Sequence, residues 1–382
     1  MIKKVFPILG LSVFSSMLGA GIVAPLLPLY AESLGATGIW IGAIFAGFAI
    51  SRTVFTPVFG RLSDRSGRKL FISIGLILYA TISLGFVWTG TVYQLVLMRF
   101  LHGASAAMIV PIAQAYIGDV CPEGEEGRWM GYANAAFFTG FGFGPFIGGV
   151  LTEHFGIDAS FLTMGGLNLV AFLVAALFLP EVSRRKLAAN PAQLSFRKMS
   201  GSSTVKGIFS FRLGFSLSRG AFAAFLPIFA TINLGLSPTF VGTLLAIHFL
   251  LRSLLGVVGG RVADRLSRRV LMVIGSLINL TFLALIPLTH SFGQLLWLCI
   301  FGSLGGALAQ PASLALSVEE GRKYGMGLTI AMFSMAMSIG MAIGPILAGV
   351  IADVASVNSV FYFGAAMGFA GAALFVWFTR SK

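Results

Sequence analysis

Twelve apolar runs, separated by polar or glycine-rich turns, occupy residues 5–30, 39–59, 70–89, 93–117, 129–152, 159–180, 207–232, 239–260, 270–289, 293–318, 325–352 and 357–378. Crossing the hydrocarbon core of a bilayer takes about 20 apolar residues as a helix. Backbone inside that core must satisfy its own hydrogen bonds, which selects helices for runs of this length. The pattern therefore predicts an all-α chain with twelve transmembrane helices. The longest polar stretch, 181–206, carries Arg184, Arg185, Lys186, Arg197, Lys198 and Lys206 and falls between the sixth and seventh runs. It divides the chain into a bundle over 1–180, a linker over 181–206 and a second bundle over 207–382. The first run continues past Pro25 without a small-residue cleavage pattern, so it reads as a span and not as a signal peptide.

The two halves share a register. A shift of 200 positions carries Arg52, Gly60, Arg61, Asp64, Arg65 and Arg68 onto Arg252, Gly260, Arg261, Asp264, Arg265 and Arg268. The same shift places Gly144-Pro145 on Gly344-Pro345, Gly149-Val150 on Gly349-Val350, and Pro111 on Pro311. One register recurring at four separated places points to duplication. Two pseudo-symmetric six-helix bundles of this kind imply a central cavity and alternating access by rocking one against the other.

Composition agrees with the pattern. The chain is 57% hydrophobic and 10% charged, with a mean hydropathy of +0.92, which would leave large apolar patches on a water-soluble domain. The net charge of +13 would suggest nucleic acid in a soluble protein, but the positions of the charges argue against that partner. Every Lys and Arg outside the apolar runs lies in alternate loops or at the termini, and the opposite loops contain none. Retention of basic loops places both termini in the cytoplasm and the chain in the inner (plasma) membrane as a multi-pass protein. Cys121 and Cys299 show neither a metal-ligand spacing nor an even-numbered framework, so no metal or cofactor is expected.

The loop after the second run reads Gly60-Arg61-Leu62-Ser63-Asp64-Arg65-Ser66-Gly67-Arg68-Lys69. Glycines at both ends permit a tight reversal, and Asp64 can accept from arginines or a helix N-terminus. An ordinary basic loop is the bland alternative, weakened by the echo at 260–269. This string resembles the loop motif of the major facilitator superfamily. The resemblance implies a twelve-helix fold in which Asp64, Arg65 and Arg68 hold the cytoplasmic ends together in the outward-open state. Asp264 and Arg265 form a second copy, altered by Ser267 where the first has Gly67. Asp119 and Arg128, with Gly131, bracket the turn between the fourth and fifth runs and resemble a family arrangement that meets this loop by charge pairing.

The fifth run contains Gly140, Gly144, Pro145, Gly148 and Gly149, small residues that let helices approach and a proline that can kink them. Their arrangement resembles the fifth-helix motif of the exporters and antiporters of the superfamily, and Pro25-Leu26-Leu27-Pro28 with Leu34-Gly35 resembles their first span. The resemblance implies export by the drug:proton antiporter branch, acting on a small-molecule substrate with protons as the coupling ion, in the bilayer and as a monomer.

Five arginines, Arg52, Arg99, Arg212, Arg219 and Arg252, lie inside apolar runs. An arginine facing lipid at mid-depth costs at least about 2.5–3.5 kcal/mol, so each should point into a bundle or a wet cavity. Arg99 stands where the family's fourth-helix motif has an arginine implicated in proton coupling, and His102 stands where that motif usually has glutamine. His102 either titrates or is a histidine bonded to a neighbouring helix. Arg219, roughly 18 Å into its run, is the leading candidate for substrate contact. Arg212 can snorkel to the interface, and Arg52 and Arg252 suit gate pairing or snorkelling near the cytoplasmic face rather than ligand contact. His248 lies one turn before Arg252. Asn134, Asn168, Asn279, Gln114 and Gln310 are polar residues inside runs; most suit inter-helix bonds, and one or two suit the lining of a cavity.

Acidic residues constrain the substrate. Asp64, Asp119, Glu123, Glu125, Glu126, Glu181, Asp264, Glu319 and Glu320 fall on the cytoplasmic side, and Glu32, Glu153, Asp158 and Asp353 at outer ends. No carboxylate is left for the interior, unless the first span extends far enough to bring in Glu32. A cavity charged by arginine favours a neutral or anionic, hydrophobic or amphipathic substrate over a lipophilic cation. An organic-anion uptake carrier or exchanger is the alternative within transport, and a non-transporting membrane sensor the alternative outside it. An enzyme is not expected: the chain has no HExxH, GxSxG or GxxxxGK motif and no embedded aspartate pair.

Overall fold

The computed structural model describes residues 2–122, 125–181, 199, 201–324 and 326–380, and only the backbone of 126, 127, 264, 326–328, 330 and 331. Most of the linker, with Arg184, Arg185, Lys186, Arg197 and Lys198, therefore lies outside the described residues, as do Glu123 and the side chains of Glu126 and Asp264. The chain is helical throughout: α1 (Ile2–Val23), α2 (Leu26–Ser33), α3 (Gly38–Ser66), α4 (Arg68–Val87), α5 (Val92–Val120), α6 (Glu126–Phe155) and α7 (Ile157–Phe178) precede the linker. After it come α8 (Ser203–Ile232), α9 (Pro238–Arg265), α10 (Arg268–Leu285), a 3-10 turn (Ile286–Leu288), α11 (Phe292–Tyr324), α12 (Met326–Val354) and α13 (Val357–Thr379). Among the described residues twelve of these, all but α2, are long and apolar enough to cross a membrane.

The element boundaries correct the sequence reading in two places. The first run is not one span to residue 30. Ala24 N–H still bonds Ala20 O at 3.1 Å, but Pro25 has no donor to continue the ladder, so α1 ends at Val23 and the chain resumes as the short α2. The loop at 60–69 is also mostly helix. α3 runs to Ser66 and carries Gly60, Arg61, Asp64 and Arg65, confining the reversal to Gly67 at φ +98°. A side chain there would be strained, and a methyl group would also run into the Glu181 carboxylate. Ser267 makes the equivalent turn at φ −59°, so the second copy needs no glycine. Gly156, at φ +83°, has a similar serine counterpart: Ser356 caps α13 by accepting from Ser359 N.

By backbone proximity the chain forms two compact units, one of Met1–Ala36, Gly47–Leu187 and Leu236–Ala246, the other of Thr37–Ala46, Ala188–Gly235 and Ile247–Lys382. In the first, α1 packs against α6 and α7, and α4 against α5 and α7. In the second, α8 packs against α12 and α13, and α10 against α11 and α13. Each pair in one unit is the 200-residue translate of a pair in the other. Helices α1 and α8 are among the most enclosed spans, whereas Trp88, Leu177, Trp297 and Trp377 stand exposed, as suits side chains facing lipid.

Close helix approach accounts for the glycines of α6. A methyl group at Gly144 would come within 2.5 Å of Gly21 Cα on α1, and methyls at Gly140 and Gly148 would strike the carbonyls of Phe14 and Ile22. Lipid tails are as apolar as leucine, so such contact, not water exclusion, holds the pair. Gly149 instead faces the carbonyl of Pro238 at the start of α9.

Candidate functional site

Arg99 and His102 sit one turn apart on α5 and are both buried, at 5% and 0% exposure. Arg99 Nη1 lies 3.2 Å from His102 Nδ1, and its guanidinium is 4.5 Å from the centroid of Phe48 on α3. Guanidinium only donates, so Nδ1 accepts and the imidazole proton resides on Nε2. Around that ring stand Tyr79, edge-on at 4.2 Å, Phe48 at 5.2 Å and Phe86 at 6.1 Å. Tyr79 in turn donates to Ser16 O of α1 at 2.9 Å, which fixes the aromatic wall. Phe48 and Tyr79 drew no attention in the sequence, because an aromatic residue in a membrane span carries no signal of its own.

The second unit builds a different cationic group. Arg219, at the middle of α8, lines a cleft with Arg252 and His248 of α9, Asn279 and Phe282 of α10, and Phe215, Ser218 and Phe222 of its own helix. The cleft holds about 10 Å³, room for roughly one water molecule. Arg252 donates to Gln310 at 2.9 Å and lies 5.2 Å from the Phe215 ring centroid. His248 Nδ1 is 3.0 Å from the carbonyl of Cys299, which can only accept, so Nδ1 carries the proton and Nε2 is left as an acceptor. The two buried histidines thus hold opposite tautomers. Arg212 donates to Ser313 at 3.0 Å rather than snorkelling free. Glu32 is exposed near the C-terminal end of α2, and among the described residues neither cationic group contains a carboxylate.

At the basic end of the first unit, Arg68 bridges two acids: Nη1 to Asp64 at 2.6 Å and Nε to Asp119 at 3.0 Å, with Ser63 at 2.9 Å from Nη1. The translate repeats the longer link, Arg268 pairing with Glu319, while Glu320 pairs with Lys323 at 2.7 Å. Arg65 and Arg265 are exposed. Arg128 does not join the cluster: it is exposed, donates to Tyr132 at 3.2 Å and lies over the Tyr132 and Trp129 rings. Gly131 has open space beside it.

The opposite ends hold a pair of carboxylates that the sequence reading left as outer-end residues. Asp353, ending α12, accepts from the backbone N–H of Gly38 at 2.5 Å and Ile39 at 2.9 Å, the first turn of α3. Glu153, ending α6, accepts from Ser237 Oγ at 2.6 Å and Thr239 N at 3.0 Å, the first turn of α9. The 200-residue shift relates both acids and both helix starts, a signal present in the sequence.

A model described as "Major Facilitator Superfamily" matches residues 9–229 and again 208–382. The chain is 30% identical over 377 residues to an uncharacterized MFS-type transporter of Methanocaldococcus jannaschii, covering 95% of each chain. It is 30% identical over 363 residues to multidrug resistance protein 2 of Bacillus subtilis, covering 92% of this chain and 89% of that one. Among solved structures, a bacterial homolog of the human lysosomal transporter Spinster, inward-facing and occupied, superposes with a TM-score of 0.83 at 14% identity over 100% of this chain and 97% of the other.

Proposed function

Because the chain belongs to the major facilitator superfamily and is a multi-pass inner-membrane transporter, we propose that it exports a hydrophobic or amphipathic small molecule in exchange for protons, with neutral or anionic compounds favoured. The observation that carries the substrate class is the cleft of Arg219, Arg252 and His248, buried in a span interior with no carboxylate beside it among the described residues. Fixed positive charge in a low-dielectric site attracts an anion strongly and repels a lipophilic cation. The multidrug resistance relative supports export as the direction. The six-helix segments 1–180 and 207–382 act as the two rocking bodies of a monomer, joined by 181–206.

Proton coupling falls to Arg99 and His102. Protonating His102 at Nδ1 requires the Arg99 contact to break, since two donors cannot share it. The charge of the ring is thereby tied to the position of the arginine. An organic-anion exchanger would use the same cationic cleft and differs in the gradient that drives it.

Reconstitution tests the reading. Proteoliposomes under an imposed pH gradient should accumulate a fluorescent organic anion, collapse that accumulation with a protonophore, and lose at least tenfold in rate with Arg219→Ala. Strong transport of monovalent lipophilic cations, unchanged in Arg219→Ala, would overturn the substrate class. Anion transport indifferent to the pH gradient but driven by a counter-anion would establish the exchanger instead.

A further inference from the structure

The two halves differ at one surface groove. Between α10 and α13 lies a cavity of about 290 Å³ that includes Leu277, Leu280, Ala372, Ala373, Trp377 and Arg380 in its lining. Its rim is exposed, with Leu277 at 48% and Trp377 at 65%, so it opens onto the flank of the helices. The floor is low because two consecutive residues of α13 are alanines. The 200-residue translates of Ala372 and Ala373 are Phe172 and Leu173, and that of Arg380 is Pro180. Duplication alone therefore does not account for either the depth of the groove or the cation at its mouth.

Its dimensions and charge specify an occupant. From Arg380 to Phe369, the lining residue furthest from it along α13, is eleven residues, or about 16 Å of helix. One leaflet of a bilayer has about 15 Å of hydrocarbon. The wall along that depth is apolar apart from Ser276, whose hydroxyl donates to Met272 O at 2.9 Å, Trp377 lies one turn from the mouth, where indoles settle at the headgroup level, and Arg380 is exposed at the end. Arg269, on the first turn of α10, donates to Thr379 O at 3.2 Å, placing a second guanidinium against the end of α13. Arg268 beside it is neutralised by Glu319, whereas no described carboxylate pairs with Arg380 or Arg269. Basic pockets between spans at the cytoplasmic side suit anionic headgroups.

We infer that this groove is a binding site for an anionic phospholipid of the leaflet at the basic end, one acyl chain lying along Ala372 and Ala373 and the headgroup held by Arg380. The site is separate from the cationic cleft and does not depend on which compound the protein moves.

Native mass spectrometry of the full-length protein, with equal phosphatidylglycerol and phosphatidylethanolamine of matched chains, tests it. Phosphatidylglycerol adducts should exceed the zwitterionic ones at least fivefold. Arg380→Ala should abolish that preference while leaving residual binding, and Ala373→Phe, filling the floor, should remove the adduct of either lipid. A photo-crosslinking residue at Leu277 should capture phosphatidylglycerol in vesicles, and one at its translate Ile77 should not. Equal adducts of both lipids on the unsubstituted protein, or equal capture at Leu277 and Ile77, would overturn the assignment. So would displacement of the Leu277 crosslink by a transported dye, which would make the groove a substrate path. The Ile77 comparison and the exposed Arg380→Ala variant keep the test decisive if Ala373→Phe does not fold.

Discussion

Arg68 donates through Nε to Asp119 at 3.0 Å, joining the start of α4 to the end of α5. The Arg68 and Asp119 side chains are 16% and 20% exposed, against 28% and 48% for their translates Arg268 and Glu319. Exposed ion pairs contribute about 0.2–1 kcal/mol, and partial burial with a second acid raises that. A double-mutant cycle of Arg68→Ala with Asp119→Ala, read by thermal unfolding in detergent, should give a coupling of about 1–2 kcal/mol. The cycle for Arg268 and Glu319 should give less than about 1 kcal/mol. Equal couplings would show that the two copies of the loop motif are energetically equivalent despite their different turns.

The helix packing of α1 on α6 gives a second expectation. A methyl at Gly144 meets the backbone of Gly21, while one at Gly131 on the same helix meets nothing within 4 Å. Backbone cannot step aside as a flexible side chain can. Gly144→Val should therefore lower stability by at least about 2 kcal/mol, in the range of overpacked cores, and Gly131→Val should leave the unfolding temperature nearly unchanged. Similar losses for both would mean that the approach to Gly21 does not set the cost, since valine is a better helix former than glycine.

The contrast between these glycines bears on what a sequence discloses. Span number and the burial of Arg99 were legible because each follows from the cost of polar groups in hydrocarbon, a constraint that acts on every position alike, and the duplication because one 200-residue register recurs at separated places. The break at Pro25 was not: one missing donor ends a helix only where neighbouring helices do not restore the freed groups, and that depends on packing. The loop at 60–69 read as a turn because its charges suit a loop, yet charges on the exposed end of a helix satisfy the same requirement. Charge pairing of Arg128 near the first loop was expected from a family resemblance, with solvation in the loop as the alternative, and the side chain is exposed and donates to Tyr132, one turn along its own helix. Asp353 and Glu153 were placed at outer ends by the alternation of the basic loops, and their partners lie 315 and 86 residues away in sequence, beyond any local pattern.

His102 offers a test of proton coupling that does not depend on stability. Glutamine, usual at this place in the family motif that the span resembles, can accept from Arg99 through Oε1 and so preserves the 3.2 Å contact. His102→Gln should retain transport but lose the pH dependence that protonation of the imidazole gives the unsubstituted protein. Arg99→Ala should abolish proton-driven transport at every pH. A His102→Gln profile that overlies that of the unsubstituted protein would remove His102 from the proton path and leave it a packing residue.

The carboxylates at the ends opposite the basic loops give the last expectation. Asp353 accepts from two N–H groups at the start of α3, and Glu153 from one N–H and a hydroxyl at the start of α9. Each satisfies donors that a helix cannot satisfy itself and adds negative charge at the positive end of its dipole. These contacts tie the first turn of a span to the last turn of another, so they must yield wherever those two helix ends separate. Ile41 and Val241, translates of each other, are buried one turn inside, at 4% and 1% exposure. In a background with Cys121 and Cys299 replaced by serine, Asp353→Ala should raise maleimide labelling of Ile41→Cys on the order of threefold, the scale of a lost helix cap. Glu153→Ala should do the same for Val241→Cys, and the double substitution should raise both further. Labelling rates unmoved by either alanine would mean that glycine contact alone, at Gly42 and Gly242, holds these ends, and that the paired acids only cap.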